Sequence, residues 1–233
     1  MADVIDHNFE NKDKLARALA FRVATELKRD IEASGKASML VSGGSTPKAF
    51  FTALSEEELD WTRVTISLVD ERWVPPSSDR SNAKLVGEYL LQNKANGAAF
   101  LPLYVDGQTA QEGATSLGKQ FEGVHKPFTV VILGMGTDGH TASFFPGGDQ
   151  LAEAIDLKNQ NTFTAIEAPG AGEPRITFTL PQLLQSSFLA LHIEGDEKQD
   201  VLKSAFGEGE VADMPIRAVL RQTIKELNIF WCP

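Results

Sequence analysis

The 233-residue chain sets 22 Lys and Arg against 32 Asp and Glu, a formal charge of −10, and 42% of its residues are hydrophobic, with 14 Phe in the sequence. Such a composition supplies a packed core and lacks the polar bias of disorder; the acidic balance, without a Lys/Arg block, argues against binding to nucleic acid or an anionic membrane, which needs a broad positive field. The single cysteine, Cys232, lies beside the C-terminus, which excludes an intramolecular disulfide and a zinc site made of several thiolates.

In chain order, the N-terminal MADVIDHNFENKDK has no apolar run behind a basic head. Nowhere does the sequence approach the roughly 18 to 20 apolar residues of a membrane span, so a cytoplasmic address is expected. Leu15, Leu19, Val23, Leu27 and Ile31 recur at helical spacing and predict an amphipathic helix that stops near Gly35. A short apolar run, residues 37–41, then ends in Ser42-Gly43-Gly44-Ser45-Thr46-Pro47 and a helix from Pro47 to about Leu54. The pattern returns with residues 64–69, which run into Asp70-Glu71-Arg72 and a helix from Ser81 to about Leu91, and again with residues 128–133, which run into Gly134-Met135-Gly136-Thr137-Asp138-Gly139-His140. Residues 162–168 and 188–193 read as further strands, a helix containing residues 198–206 follows, and residues 224–231 form a last strand. Alternating strands and helices predict an α/β protein with a mostly parallel sheet covered on both faces, here as one domain over residues 1–233. Ligands of such sheets bind beyond the carboxyl ends of the strands, where all three polar or Gly-rich segments fall.

The first segment suits an anion. Gly43 and Gly44 let backbone N–H groups turn inward, Ser45 or Thr46 is expected to cap the following helix, and Pro47 suits its first turn. It is not a P-loop, since no Gly-Lys-Ser/Thr ending follows, nor a nucleophile elbow, since Pro47 stands where the last glycine belongs. In the second segment a strand ending in Asp70 and Arg72 places both charges at the sheet edge, where Arg72 can fork onto a phosphate or pair with a carboxylate.

The third segment satisfies G-x-G-x-x-G at Gly134, Gly136 and Gly139, but its context is wrong for a dinucleotide fold. Pro146-Gly147-Gly148 would cut short the first helix, and no acid ends a second strand about 20 residues on. The glycines instead suit a backbone lying against a small substrate beside His140, a natural proton carrier with an unperturbed pKa of about 6.5. His7 and His125 sit in polar segments, and His192, inside an apolar strand, reads as a core residue; none forms a close ligand pair, so no metal site is expected.

Together, SGGSTP, the stretch DERWVPPSSDRSN from Asp70 to Asn82, and GMGTDGHTASFFPG resemble the 6-phosphogluconolactonase family, as do Pro174-Arg175-Ile176-Thr177 with its Leu-rich sequel and Gly195-Asp196-Glu197-Lys198. The resemblance spans nearly the whole chain. It implies a three-layer α/β/α fold shared with glucosamine-6-phosphate deaminase and ribose-5-phosphate isomerase. It also implies hydrolysis of 6-phosphoglucono-1,5-lactone to 6-phosphogluconate, in the pentose phosphate route or its Entner-Doudoroff relative. The deaminases of that fold are the rival; they look like G-H-I-A-F-N-E-P, with a carboxylate just before proline, where this chain has Phe145 before Pro146. A non-catalytic sugar-phosphate sensor would keep the phosphate cradle without a proton carrier, and His140 argues against it.

A δ-lactone needs a base for water, donors for the oxyanion and an acid for the departing ring oxygen, without a cofactor or covalent nucleophile. His140 fits as base and then acid, backbone N–H groups of the loop 134–139 as oxyanion donors, and Asp70 or Asp138 as the group that orients His140 or sugar hydroxyls. For the phosphate the resemblance points to Gly43, Gly44, Ser45, Thr46, Arg72 and Lys198, with Arg175 as a further candidate. The expected partner is a phosphorylated sugar lactone, and the expected assembly a monomer or weak homo-oligomer.

Overall fold

The periodic run from Leu15 becomes the longest helix of the chain in the computed structural model, which describes residues 1–233. The elements run β1 (Val4–Asn8), α1 (Lys12–Ser34), β2 (Ala37–Val41), α2 (Lys48–Ser55), β3 (Val64–Leu68), β4 (Asp70–Arg72), α3 (Asn82–Tyr89), β5 (Ala99–Leu101) and α4 (Ala110–Gln120). They continue with β6 (Phe128–Leu133), α5 (Leu151–Ile155), β7 (Phe163–Ile166), β8 (Arg175–Phe178), α6 (Leu180–Leu184), β9 (Ser186–Glu194), α7 (Asp196–Phe206), α8 (Ile216–Arg221) and β10 (Leu227–Cys232). In α1 the Asn11 side chain accepts from the Lys14 N–H, the Leu15, Leu19, Val23 and Leu27 stripe is buried, and Gly35 at φ 81° closes the helix. The left-handed turn at Gly35 satisfies the Ile31 carbonyl at little steric cost.

Seven strands form one sheet in the order β1-β10-β9-β6-β2-β3-β5, and every pairing in it is parallel. Strands β2 and β6 are buried along their whole length, as unbroken apolar runs in a covered parallel sheet must be. The helices flank this sheet and share with it a core cluster of 59 buried residues. No helix is long and apolar enough to cross a membrane.

Two expectations about strands need correction. Asp70 and Arg72 do not end a strand of the main sheet, and residues 162–168 do not join it; β4, β8 and β7 form a separate three-stranded sheet, antiparallel throughout. Val69 is the crossover. Its N–H donates to the Val41 carbonyl at 3.0 Å, within reach of the first sheet, while its carbonyl accepts from the Phe178 N–H at 3.0 Å in the second. No glycine or proline marks that switch. β1 and β5, the edge strands, and the short α5 and α8 carry too few periodic residues to be read in advance; α4 has a capping box at Thr109 and Glu112, but its buried face of Ala110, Gly113, Ala114 and Leu117 is mostly small residues.

Glu71 fastens the small sheet to α3. Wholly buried, its carboxylate accepts from the backbone N–H groups of Arg72, Asn82 and Ala83, each at 2.8 Å, and from Ser81 Oγ at 3.1 Å. Burial pushes this carboxyl above its usual range, against the pull of the three backbone donors. Replacing Glu71 by Ala leaves buried donors unpaired at about 1–3 kcal/mol each, so Glu71→Ala should cost roughly 3–5 kcal/mol of stability in urea denaturation. A loss below about 1 kcal/mol would show that water replaces the carboxylate.

Candidate active site

Because β9, β6, β2 and β3 are neighbours and parallel, the loops that follow them leave the sheet at one edge. Ser42 Oγ donates to the Ile132 carbonyl at 3.1 Å and accepts from the Gly134 N–H at 3.0 Å, stitching the first Gly-rich loop to the second. Between these loops and the small sheet lies a cavity of about 300 Å³. Gly43, Gly44, Ser45, Thr46, Asp70, Arg72, His140, Arg175 and Lys198 all line it; Asp138 does not, and stands behind His140.

The imidazole of His140 is held from two sides. Its Nδ1 lies 2.6 Å from Asp138 Oδ1, which also accepts the His140 backbone N–H at 3.1 Å. An ionised carboxylate only accepts, so Nδ1 carries the proton in this bond and Nε2 is left for chemistry. Burial alone would raise the Asp138 carboxyl, but the hydrogen bonds and charge of His140 outweigh it and hold that carboxyl below its ordinary range. The other side is the Phe145 ring, stacked on the imidazole at 4.2 Å with 25° between planes. Space for this pose comes from Gly136, where a Cβ would stand 2.3 Å from the imidazole. Gly139, at φ +78°, makes the turn into His140, and its carbonyl accepts from the Ile216 N–H at 2.8 Å.

Asp70 does not touch His140. Its Oδ2 accepts from Ser143 Oγ at 2.7 Å and lies 3.8 Å from Arg175 Nη1. Of the loop 134–139 N–H groups foreseen as oxyanion donors, those of the glycines are committed elsewhere, Gly134 to Ser42 Oγ at 3.0 Å, Gly136 to the His140 carbonyl at 2.9 Å and Gly139 to the Gly136 carbonyl at 3.1 Å, whereas Met135, which lines the cavity, keeps an uncommitted N–H. So tight a loop must first satisfy its own backbone.

The cations stand around the rest of the wall. Neither Ser45 nor Thr46 caps α2; Pro47 takes the cap position in a helical conformation, with no side-chain bond, and the Thr46 hydroxyl accepts from Lys198 Nζ at 3.3 Å instead. Gly44 adopts φ +89°, and Gly43 presses so closely on Asn82 that a Cβ would overlap its Oδ1 at 1.8 Å. Lys198, in the first turn of α7, is drawn below the ordinary lysine range by burial, with Glu194 and Glu197 opposing. Arg72 donates from Nη1 to the Arg80 carbonyl at 2.6 Å, and Arg175 from Nη2 to the Ala171 carbonyl at 2.7 Å. The Nε of each arginine is buried without a partner. The two arginines are direct cross-strand partners in β4 and β8, an arrangement of like charges that costs stability and suits a wall that faces a ligand with more than one anionic group. Burial also lowers the Arg175 pKa, with Asp70 opposing.

His192 was read as core, and it is buried in β9 with Nε2 3.2 Å from Glu194 Oε1, yet it lines the cavity too. Its position at the carboxyl end of a strand was the available signal. Asn82, which donates to the Asp70 carbonyl at 3.0 Å, and Phe145 also belong to the wall; neither carries a charge that marks it in sequence. No group of three or more His, Cys, Asp or Glu side chains is placed to hold a metal ion.

A parallel sheet with a proton carrier and a ring of cations at its carboxyl edge defines a class, a site for chemistry on a small anionic substrate. Residues 10–231 match the family of glucosamine-6-phosphate isomerases/6-phosphogluconolactonase, and the chain belongs to that family. It is 52% identical over 227 residues to a 6-phosphogluconolactonase of Rhizobium meliloti, covering 97% of this chain and 98% of that one. A solved 6-phosphogluconolactonase of Shewanella baltica superposes with a TM-score of 0.96 at 40% identity, over 99% of this chain and 98% of that one. A monomeric glucosamine-6-phosphate deaminase shares the fold, with a TM-score of 0.77 at 14% identity over 99% and 97% of the two chains.

The crowding at Gly136 gives a direct check on the His140 pose. Gly136→Ala should displace the imidazole from Asp138 while costing only about 1–3 kcal/mol of stability. A crystal structure of the variant with the Asp138 bond intact would show that the loop, and not the glycine, sets the pose.

Proposed function

We propose that the chain hydrolyses 6-phospho-D-glucono-1,5-lactone to 6-phospho-D-gluconate, a lactone hydrolase of the oxidative pentose phosphate or Entner-Doudoroff pathway. One observation carries the choice over the deaminase reaction. The imidazole of His140 has a single carboxylate partner, Asp138, and on its other side the apolar ring of Phe145, so it is equipped to move one proton to and from water and lacks a second acid for ring opening.

In the reaction Nε2 of His140 takes a proton from water as the water oxygen adds to C1. The resulting imidazolium, held by Asp138, returns that proton to the ring oxygen when the C1–O bond breaks. The phosphate belongs with the loop 43–46, Lys198 and Arg72, where it would find a hydroxyl-bound ammonium and an unpartnered guanidinium Nε. Binding energy gathered there orients the carbonyl against His140. No oxidation state changes, and general-base attack of water on an already electrophilic lactone carbonyl needs no Lewis acid, so the reading calls for no metal or nucleotide, and it puts the enzyme in the cytoplasm as a monomer or weak homo-oligomer.

His140→Asn should lower kcat by about 100-fold to 10,000-fold in a folded protein, measured by pH-stat with spontaneous hydrolysis subtracted. Near-wild-type turnover would remove His140 from its role. Lys198→Ala should cost about 10-fold to 100-fold in kcat/KM on the phosphorylated lactone and little on gluconolactone; equal losses on both would move the phosphate elsewhere. The lowered pKa of Lys198 also sets a direction with pH. The protonated ammonium binds the phosphate dianion, so above the phosphate's second pKa of about 6 product affinity is full while Lys198 stays protonated and falls as pH rises through the lowered lysine pKa. Calorimetry with 6-phosphogluconate should show this loss, and Lys198→Arg should move it to higher pH. Dialysis against a chelator should leave the rate unchanged.

A further inference from the structure

The product of this reaction carries two anionic groups, the phosphate it brought and the carboxylate made at C1, so the cavity must serve two negative ends. Three buried or half-buried cations line it, and their surroundings divide them. Lys198 holds the Thr46 hydroxyl at 3.3 Å, and Arg72 shares a second, adjoining cavity with Gly44 and Ser45; both belong to the loop that begins at Ser42. Arg175, although the cross-strand partner of Arg72, is set apart by its other neighbour. Its guanidinium carbon lies 5.1 Å from the centroid of the Phe145 ring, the same ring on which His140 is stacked at 4.2 Å. One aromatic side chain thus ties Arg175 to the proton carrier and fixes the distance between them.

Arg175 is also equipped for charge that appears during the reaction. It is 5% exposed, its Nε has no partner, and Asp70 stands at 3.8 Å, close enough to offset the charge without a short hydrogen bond. The glycine N–H groups of the loop 134–139 are spent within the protein, so the glycines themselves offer no donor to the carbonyl end. We infer that Arg175 serves the C1 end of the substrate, supporting the oxyanion and then the carboxylate, and takes no part in holding the phosphate. This assignment rests on the lactonase reading.

In electron terms, the water oxygen bonds to C1 while the carbonyl π pair moves onto oxygen, and that oxyanion lies against Arg175. The pair then re-forms the carbonyl, the bond from C1 to the ring oxygen breaks, and the ring oxygen takes the proton from His140. The new carboxylic acid loses its proton to solvent, leaving a carboxylate beside the guanidinium.

The test pairs binding with turnover. Wild type, Arg175→Gln, Arg175→Lys and Lys198→Ala are titrated with 6-phosphogluconate and with glucitol 6-phosphate, which keeps the phosphate and lacks the carboxylate. Each is then assayed on the phosphorylated and unphosphorylated lactones. Arg175→Gln should bind glucitol 6-phosphate within about twofold of wild type, which also reports a folded site, yet bind 6-phosphogluconate about 10-fold to 100-fold more weakly. Its kcat should fall on the order of 100-fold on both lactones alike, whereas Lys198→Ala should spare the unphosphorylated one. Arg175→Lys keeps a cation without the Nε donor, should show the same ordering with smaller losses, and decides the matter if the glutamine variant does not fold. Equal weakening for the two phosphates, or an unchanged kcat, would overturn the assignment. Absence of lactone turnover in the wild type would strike the lactonase reading, while the binding comparison would still place Arg175.

Discussion

Backbone hydrogen bonds that join β9, β6, β2 and β3 in one direction oblige the loops after these strands to leave from the same edge of the sheet, and the rest of the site depends on that obligation. His140, the Gly43–Gly44 turn and Lys198 are far apart in sequence, and none has a reason to meet the others except that the strands before them are adjacent and parallel. Ser42 makes the arrangement tighter by bonding across to the β6 side, so the two Gly-rich loops are held in register with the sheet beneath them.

Within that frame the electrostatics are local. The chain is acidic overall, yet the cavity gathers Lys198, Arg72 and Arg175, each partly stripped of water and none with a close carboxylate to neutralise it; the nearest ion pair is the 3.8 Å approach of Asp70 to Arg175. Unpartnered guanidinium nitrogens and cross-strand arginines cost folding free energy. The small antiparallel sheet that presents them is accordingly anchored by Glu71, a buried carboxylate with four donors. Stability invested in that anchor offsets strain held at the ligand site.

The proton carrier obeys the opposite logic. His140 has a close carboxylate, and its second neighbour is apolar. A monomeric glucosamine-6-phosphate deaminase shares the fold; in this chain the side chain against the imidazole, opposite Asp138, is the apolar Phe145. The ring covers one face of the imidazole and lies beside Arg175 as well, so one side chain touches both the proton carrier and a cation of the wall.

The parallel strands and the long helix could be read from the chain because their signals are local: an unbroken apolar run for β2 and β6, a helical stripe from Leu15 to Ile31, a glycine that ends α1. The motifs around Gly43, Asp70 and His140 were legible for the same reason, since glycines, charges and a histidine cluster at strand ends. Tertiary structure decided what no neighbouring residue encodes. It turned the chain at Val69 into a second sheet through two long-range backbone bonds, drew His192 from an apolar strand into the cavity wall, and gave Asp70 to Ser143 and Arg175. The carboxylate within 3 Å of the imidazole lies two residues away in the same loop, whereas the packing of separate strands decided that the other aspartate, Asp70, meets Ser143 and Arg175 instead.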